Sequence, residues 1–478
     1  MSVAREANGR PTLRLSFEPG FRLPELPGRE LEPRVFTTTY FDSDDRALAG
    51  SRLTLRRRVE NGKSIWRLRS GAGSGLDLEV AGGPAGPPAE LSDLLVGIMG
   101  ARTLQQAAKV RVRRSGLGVR EGRSEVAVIV VDDVTVLDGR RVVERFKELR
   151  VETVADDADL LDRLETLLHD AGAFSAGDVP RLAEVIGMTP EKRDLKGSTA
   201  PVLFTAILQD QLREILAHDP GTRLGTDPEE LHDMRVATRR ARALLKTTRP
   251  LLEPAWTESA RAELSWLGGA LGAVRDLDVF LERLQAEVAQ LDPKDRRAGR
   301  KVIQAVEIER DAAREALVAA LSSDRYQALL RTLGEGVARP PLLPVDVDLR
   351  ELAAKQFAKL RKRMSELGPD PSDELVHRAR IKAKRARYAA EVVAAGDGKA
   401  TRRFVKVAKR FQDVAGEHQD AVVADERLRE LALEAAGATT AFVAGRLAER
   451  ERDRRRAARA ELPRAWRSLA RAGKKAWA

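Results

Sequence analysis

The first third of the chain shows the short, alternating pattern of hydrophobic and polar residues that is typical of β-strands. Segments such as RVFTTTYF, SRLTLRRRV and SEVAVIVVDDVTVL are short, and several alternate residue type with a period of two. Stretches rich in glycine and proline separate them, most clearly AGGPAGPPAE at 81–90. The pattern predicts a strand-rich region up to about residue 155, followed by one helix at about 159–171.

From about residue 202 onward the hydrophobic positions follow helical spacing, and the composition turns to alanine, leucine, arginine and glutamate. The segment ARPPLLPVD at 338–346 interrupts this pattern, because consecutive prolines end helices. We therefore predict an all-helical region in two parts, one on each side of the break, joined to the strand region by a linker.

The two helical parts contain an internal repeat. HDMRVATRRARALLK, which begins at His232, resembles HRARIKAKRARYAAE, which begins at His377, at an offset of 145 residues. Further along, a glycine and an aspartate recur at an offset of 144, as Gly272 and Asp276 and then as Gly416 and Asp420. The period is too long for a solenoid and long enough for one bundle of about four helices per copy.

Each repeated segment is amphipathic when it is placed on a helix that turns about 100° per residue. One narrow stripe of the first copy is cationic and consists of His232, Arg235, Arg239, Arg242 and Lys246. The equivalent stripe of the second copy consists of His377, Arg380, Lys384 and Arg387. Like charges at this spacing destabilise a helix by roughly a few tenths of a kcal/mol per pair, so a polyanion along the stripes would compensate. The alternative is a solvated basic face that pairs with acids on neighbouring helices.

Composition narrows the choice of partner. The net charge of +11 and the isoelectric point near 9.9 favour an anionic partner, which includes nucleic acid, acidic lipid and polyphosphorylated compounds. The absence of cysteine excludes disulfides, thiol catalysis and cysteine-ligated metals, and it fits a reducing cytoplasm. Aromatic residues make up only 4%, which disfavours recognition by base stacking. We expect no membrane span and no signal peptide, because the chain lacks apolar runs of the required length.

The helical half resembles the CHAD family, the conserved-histidine α-helical domain, over about 200–478. The resemblance rests on LHDMRVATRRARALL, VHRARIKAKRARYAAE and LGAVRDLDVFLERL. It implies two four-helix bundles related by pseudo-twofold symmetry, with the basic helices facing a central cavity that binds inorganic polyphosphate. The implied contacts are His232, Arg235, Arg239, Arg240, Arg242, His377, Arg380, Lys384, Arg385 and Arg387, to which the cationic stripe adds Lys246. One departure is Glu391, which stands at the position equivalent to Lys246.

The N-terminal half resembles the CYTH family, the triphosphate tunnel domains, over about 11–180. The resemblance rests on TTTYFDSDDRALAGSRLTLRRR followed by SIWRLRS. It implies an antiparallel β-barrel whose lumen takes a triphosphate, and closed barrels point alternate residues inward. On that basis we expect a cationic lumen lined by Arg56, Arg58, Arg67, Arg69, Lys109, Arg111 and Arg113. The alternative is that these side chains point outward and solubilise the sheet.

Catalysis in the CYTH family needs a metal held by an acid-x-acid-x-Lys motif on the first strand, because hard divalent cations prefer carboxylate oxygens. The corresponding strand here, TLRLSF, places Thr12, Arg14 and Ser16 at those positions. Glu148 and Glu152 in ELRVE remain as candidate metal ligands, with an arginine between them. We expect that binding requires no cofactor, and that Mg²⁺ or Mn²⁺ would be needed only if the barrel were active.

Together these patterns predict a two-domain α+β protein. It has a degenerate CYTH-like β-barrel at 11–185, a linker at 186–201 and a CHAD-like helical domain at 202–478, with repeat halves at about 202–338 and 346–478. The predicted function is binding of inorganic polyphosphate, with an inactive barrel, in the cytoplasm or at polyphosphate granules. Two alternatives stay open: a metal-dependent triphosphate hydrolase in the barrel, and non-specific nucleic-acid binding, against which the low aromatic content counts. The sequence contains no feature that indicates an oligomeric state.

Overall fold

The computed structural model describes residues 4–5, 11–17, 20–71, 75–155, 157–175, 182, 193–368, 370–396 and 398–477. The chain forms two compact units. Met1–Lys192 and Leu216–Glu230 make up the first unit, and Arg193–Ile215 and Leu231–Ala478 make up the second. The first part of the predicted linker, 186–192, lies outside the described residues.

The first unit is built on an antiparallel sheet. Its described strands are β1 (Ala4–Arg5), β2 (Pro11–Phe17), β3 (Gly28–Glu30), β4 (Arg34–Asp42), β5 (Leu53–Glu60), β6 (Lys63–Ser70), β7 (Asp77–Ala81), β8 (Gln105–Glu121), β9 (Ser124–Asp138), β10 (Arg141–Thr153) and β11 (Ala173–Ser175). The main path of pairing runs β1-β2-β10-β9-β8-β4-β5-β6-β7, while β11 pairs with β2 and β3 pairs with β8. The neighbouring strands along this path are antiparallel, which confirms the predicted sheet.

One face of this sheet is hydrophobic, and helices cover it. The helices of the unit include α1 (Ala47–Gly50), α2 (Ala89–Ser92), α3 (Val96–Met99) and α4 (Ala158–Asp170). Helix α4 begins after Asp157, whose side chain accepts a hydrogen bond from the backbone N–H of Leu160 at 2.9 Å. Its leucines pack against Leu15 and Leu149, because alternate side chains of a strand point to the same face.

The chain from Ala200 onward is helical, as the periodicity predicts. The described helices are α5 (Ala200–Leu224), α6 (Pro228–Thr247), α7 (Pro254–Ala289), α8 (Pro293–Leu321), α9 (Asp324–Ala338), α10 (Leu349–Ser365), α11 (Asp373–Gly396), α12 (Lys399–Glu434) and α13 (Ala438–Ala476). The proline-rich break falls between the end of α9 and the start of α10. The prediction of a helical second half with an internal break is confirmed.

The two basic segments of the repeat lie on α6 and α11, and their apolar backs are buried. On α11, Ala379, Ala383 and Ala386 are at most 2% exposed and pack against Phe404 and Phe411 of α12. Small alanine side chains allow this close approach between helices, so the basic faces of α6 and α11 remain on the opposite side. Within the described part of the chain, none of the helices combines the length and the apolar character that a membrane span requires.

Candidate anion-binding site

A cavity of about 520 Å³ lies where the basic helices α6 and α11 meet α7 and α12. Its basic wall contains His232, Arg235 and Arg239 from α6, together with Arg380 and Lys384 from α11. These residues are equivalent in the repeat, because Arg235 matches Arg380 and Arg239 matches Lys384 at the offset of 145. The fold therefore brings cationic residues from both repeat halves to one cavity, which we call the central cavity.

The aspartates of the second repeated motif orient the basic wall. Asp276 Oδ1 lies 3.0 Å from Arg235 Nη2 and forms an ion pair with it. Its repeat equivalent, Asp420, also lines the cavity and interacts electrostatically with Arg380. A carboxylate that holds one N–H of an arginine leaves the other donors of the guanidinium fork available to an anion. The aspartates thus position the arginines without occupying the whole cavity.

Hydrogen bonds also fix the ends of the basic wall. Arg239 Nε donates to the Tyr388 hydroxyl at 2.6 Å, which connects α6 to α11. His377 Nδ1 lies 2.6 Å from Oε1 of Gln419, and this glutamine lines the central cavity. His232 lines the cavity directly, whereas His377 stands one side chain behind it. The two histidines that head the repeat are therefore both close to the same cavity.

The electrostatics of the central cavity favour an anion. Burial, together with the nearby charges of Arg380, Arg239 and Arg235, lowers the pKa of Lys384 to about 7, while Asp420 opposes this shift. Burial also lowers the pKa of Arg380 and raises the pKa of Asp420. Positive charges that repel one another in this way are stabilised when an anion binds between them. The cavity thus carries an excess of positive charge that its own carboxylates do not neutralise.

The sequence analysis did not identify three further arginines that line the cavity from α7 and α12, namely Arg275, Arg283 and Arg427. Arg283 is paired with carboxylates, at 2.9 Å from Glu417 and 2.9 Å from Glu451. The sequence did indicate two of these arginines, because Arg283 and Arg427 are 144 residues apart. The repeated glycine and aspartate have the same separation. Extending the repeat alignment by two helical turns would have revealed both.

Six of the predicted contacts lie outside the lining of the central cavity: Arg240, Arg242, Lys246, Arg385 and Arg387, together with His377, which stands behind Gln419. Arg240 Nε is 3.7 Å from Glu391 Oε2. Arg387 is only 9% exposed, and its Nη1 is 3.0 Å from Glu391 Oε1. Arg242 and Lys246 of the predicted stripe thus lie outside the lining of the central cavity, and their contact with polyphosphate stays a prediction. A helix rises about 1.5 Å per residue, so Lys246 stands roughly 16 Å along α6 from Arg235.

The sheet has a second cavity of about 520 Å³, and Arg56, Arg58 and Arg67 are among its lining residues. These three arginines were expected to come together, and they do. Arg58 Nη2 lies 2.6 Å from Glu60 Oε2, and Arg67 Nη1 lies 3.2 Å from Glu79 Oε1. Because carboxylates partner two of the arginines, this cavity is closer to charge balance than the central cavity.

The strand register shows which predicted lumen residues share a face. Thr38 pairs with Arg58 on one side and with Val110 on the other, so the side chains of Arg58 and Val110 point to the same face. Arg69 joins Arg67 on that face by alternation. Three basic residues of β8 were predicted to line the same lumen, namely Lys109, Arg111 and Arg113. This prediction is wrong. They alternate with the buried Val110 and point to the opposite face.

The candidate metal ligands Glu148 and Glu152 lie on β10 with Arg150 between them. Arg150 Nε is 3.2 Å from Glu152 Oε1. On β9 of the same sheet, Asp132 accepts two hydrogen bonds of 2.7 Å from Arg114. Over the described residues, no group of three or more histidine, aspartate or glutamate side chains is arranged to hold a metal ion. Arginines partner Glu152 and Asp132, so these two carboxylates do not present the uncompensated oxygen ligands that a divalent cation prefers.

An antiparallel sheet unit, followed along the chain by a helical module with an internal repeat and a basic cavity, defines a class of two-domain α+β proteins. The model of the CYTH domain matches residues 14–183, and the model of the CHAD domain matches residues 206–429. The chain belongs to the CYTH–CHAD proteins.

The chain is similar to one protein over nearly its whole length and to two solved structures over somewhat more than half of it. An uncharacterized protein of Mycobacterium tuberculosis strain CDC 1551, MT2285, is 32% identical over 95% of this chain and 93% of its own length. The structure of PptA from Streptomyces chartreusis is 25% identical, with a TM-score of 0.48, and covers 56% of this chain and 100% of that one. The CHAD domain from the plant Ricinus communis is 30% identical, with a TM-score of 0.47, and covers 59% of this chain and 95% of that one.

Proposed function

We propose that this protein binds inorganic polyphosphate in the central cavity. The observation that carries the proposal is the convergence of His232, Arg235 and Arg239 from one repeat half with Arg380 and Lys384 from the other. Arginine offers planar pairs of N–H donors that match phosphate oxygens, and lysine offers a compact charge. A flexible chain of phosphates can pass between two such walls and contact both.

The composition of the cavity favours polyphosphate over nucleic acid. Single-stranded nucleic acids are bound through aromatic side chains on which the bases stack. Among the described residues of the cavity lining, Phe280 supplies one aromatic ring, and the remaining contacts are charged, polar or aliphatic. A chain of phosphates without bases uses the cations and needs no stacking surface. Non-specific nucleic-acid binding is therefore the less favoured candidate.

We propose that the sheet unit also binds anions and does not hydrolyse triphosphate. The carboxylates that a divalent metal would need are partnered by arginines, as in the pairs Arg150–Glu152 and Arg114–Asp132. The arginines Arg56, Arg58 and Arg67 support a subsidiary anion-binding role for this unit.

Salt dependence tests the electrostatic nature of binding. With about five phosphate contacts, affinity for long-chain polyphosphate is expected to fall roughly 100-fold between about 50 and 200 mM salt, because bound counterions are released from the polyanion. Fluorescence anisotropy of end-labelled polyphosphate, measured across this range, checks the slope. A flat salt response would contradict the proposal.

Competition tests selectivity in the same assay. Unlabelled polyphosphate is expected to displace the labelled chain, while duplex DNA at equal phosphate concentration displaces little of it. Equal displacement by both competitors would show a general polyanion surface instead of a polyphosphate site.

A further inference from the structure

The sheet unit carries basic residues on the face opposite to the one that bears Arg58. Arg111 of β8 pairs with Thr37 of β4 and with Thr135 of β9. Thr135 in turn pairs with Arg145 of β10, so one row of side chains crosses four strands. Because Arg111 alternates with the buried residues of its strand, the whole row points away from the arginine cavity.

Two further rows lie beside this one on the same four strands. The first consists of Thr39, Lys109, Leu137 and Val142, and the second consists of Val35, Arg113, Asp133 and Lys147. With strands about 4.8 Å apart and a rise of about 3.4 Å per residue, the three rows cover a patch of roughly 14 Å by 14 Å. We call these twelve residues the outer basic face.

The cations of the outer basic face are accessible and are scarcely neutralised. Exposed side chains include those of Arg111, Arg113, Arg145 and Lys147. Among the described residues, the one ion pair of these basic side chains joins Lys147 Nζ to Asp133 Oδ2 at 3.9 Å. Five basic side chains therefore stand against one carboxylate on this face. Such a surface attracts an anionic partner.

The hairpin between β9 and β10 adds aliphatic side chains at one end of the outer basic face. Val142 is 41% exposed and the neighbouring Val143 is 58% exposed. Arg140 and Arg141, which directly precede them, are also exposed. Aliphatic side chains flanked by cations suit the interfacial region of a bilayer, because the apolar atoms leave water while the charges stay at the headgroups.

The composition of the face favours a bilayer over nucleic acid. None of its twelve residues is aromatic, so the bases of a single strand would find no ring on which to stack. A nucleic acid would also leave the exposed Val142 and Val143 in water. A bilayer with anionic headgroups matches both the cations and these two valines, since its negative surface potential attracts basic residues.

We propose that the outer basic face is a peripheral membrane-binding surface for bilayers with anionic headgroups. Its cations contact the headgroups, and Val142 and Val143 enter the interfacial region. Each basic residue near such a surface strengthens binding roughly fivefold, so the number of cations sets the affinity. The inference uses no residue of the central cavity and does not depend on the proposed binding of polyphosphate.

Co-sedimentation of the full chain with vesicles tests this surface. We expect binding to vesicles of phosphatidylcholine mixed with phosphatidylglycerol, and none to vesicles of phosphatidylcholine alone. Arg111→Gln combined with Arg145→Gln removes two exposed cations of one row. The partition coefficient for the mixed vesicles is expected to fall roughly 25-fold, about fivefold for each cation. Thermal unfolding shows that the variant is folded.

Arg120→Gln combined with Arg123→Gln is the matched control, because it removes the same charge from exposed positions near the turn between β8 and β9. Arg120 follows Arg111 by nine residues, which corresponds to about 31 Å along the strand. Vesicle binding by this variant is expected to be nearly unchanged, because salt screens charges beyond about 8 Å.

Val143→Asp tests the aliphatic end of the face separately. This exposed substitution is expected to lower the partition coefficient for the mixed vesicles by about tenfold, because an apolar side chain no longer leaves water. It leaves all the cations in place, so it distinguishes insertion of the hairpin from attraction by charge alone. Unchanged binding by this variant would contradict insertion of the hairpin.

The outcomes separate this inference from the proposed function. Absence of binding to the mixed vesicles by the unaltered protein overturns the membrane surface and leaves the central cavity proposal intact. Equal losses in the two double variants also overturn it, because net charge alone would then explain binding. Weaker binding of duplex DNA by the Arg111 and Arg145 variant, without any vesicle binding, would assign the face to nucleic acid instead. Retention of that variant on long-chain polyphosphate is expected to be unchanged.

Discussion

Replacing Arg235 and Arg380 together with glutamate is expected to abolish retention of the protein on long-chain polyphosphate. Each arginine makes charge-assisted contacts worth about 1.5 to 3 kcal/mol, so losing both costs about 3 to 6 kcal/mol. This corresponds to a loss of affinity of roughly 100-fold to 10 000-fold. The two residues are equivalent in the repeat and line the same cavity, so the double variant affects both walls at once.

The control keeps the charge change and moves it away from the cavity. Arg331→Glu combined with Arg464→Glu makes the same net change at exposed positions on α9 and α13. We expect this variant to lose only the small, long-range part of the attraction, which salt screens. Equal retention of the two double variants, both folded by circular dichroism, would refute the cavity as the binding site.

Polyphosphate affinity is expected to weaken as the pH rises above 7, because of Lys384. Its pKa in the free protein is about 7, so the side chain is mostly protonated below that pH and mostly neutral above it. Bound phosphate oxygens favour the protonated form, which raises the pKa in the complex. Binding above pH 7 must therefore take up a proton, and affinity falls by up to about tenfold per pH unit until the raised pKa is reached.

The charges that face Lys384 decide the size of this effect. Arg380 on its own helix and Arg235 and Arg239 on α6 disfavour its protonation, whereas Asp420 on α12 favours it. Lys384→Arg keeps a cation at every pH, so it is expected to remove most of the pH dependence while preserving affinity near pH 6. Titrations from pH 6 to 9 with both proteins check this expectation. An identical pH profile for the variant would show that another group takes up the proton.

Lys384 also illustrates how the duplication has diverged. Its repeat equivalent is Arg239, whose Nε donates a hydrogen bond to the Tyr388 hydroxyl. The α6 wall thus has arginines at both repeat positions, whereas the α11 wall has Arg380 and the lysine Lys384, whose pKa is about 7. This difference of one cation type between the repeat halves is the reason that we expect the proposed binding to depend on pH.

The helices of the candidate site could be predicted from the sequence because they depend on local patterns. The period of 3.6 residues identifies α6 and α11, and the alanines Ala379, Ala383 and Ala386 mark the side that is buried. The internal repeat relates Arg235 to Arg380 before any coordinates are known. The central cavity was expected only through the family resemblance, since no local pattern specifies how two helices face each other.

Position along the helix axis could not be predicted from the same pattern. A helical projection places His232 and Lys246 on one stripe, although they are fourteen residues apart on α6. The projection discards the axial rise, so it merged the residues that line the central cavity with those further along the same helix, such as Lys246. Only the crossing of α6 and α11 decided which cations meet at each place.

For this protein the sequence by itself determined the two-part architecture, the helical repeat and the types of charged residue available for an anion. The tertiary structure decided which of those charges act together. The register of β4 with β5 and β8 turned Lys109, Arg111 and Arg113 away from the face that bears Arg58. The packing of α6 and α11 likewise brought Arg235 and Arg380 to one cavity and left Lys246 outside its lining. Residue type and period are local properties of the chain, whereas the face of a strand and the partner of a helix depend on long-range pairing.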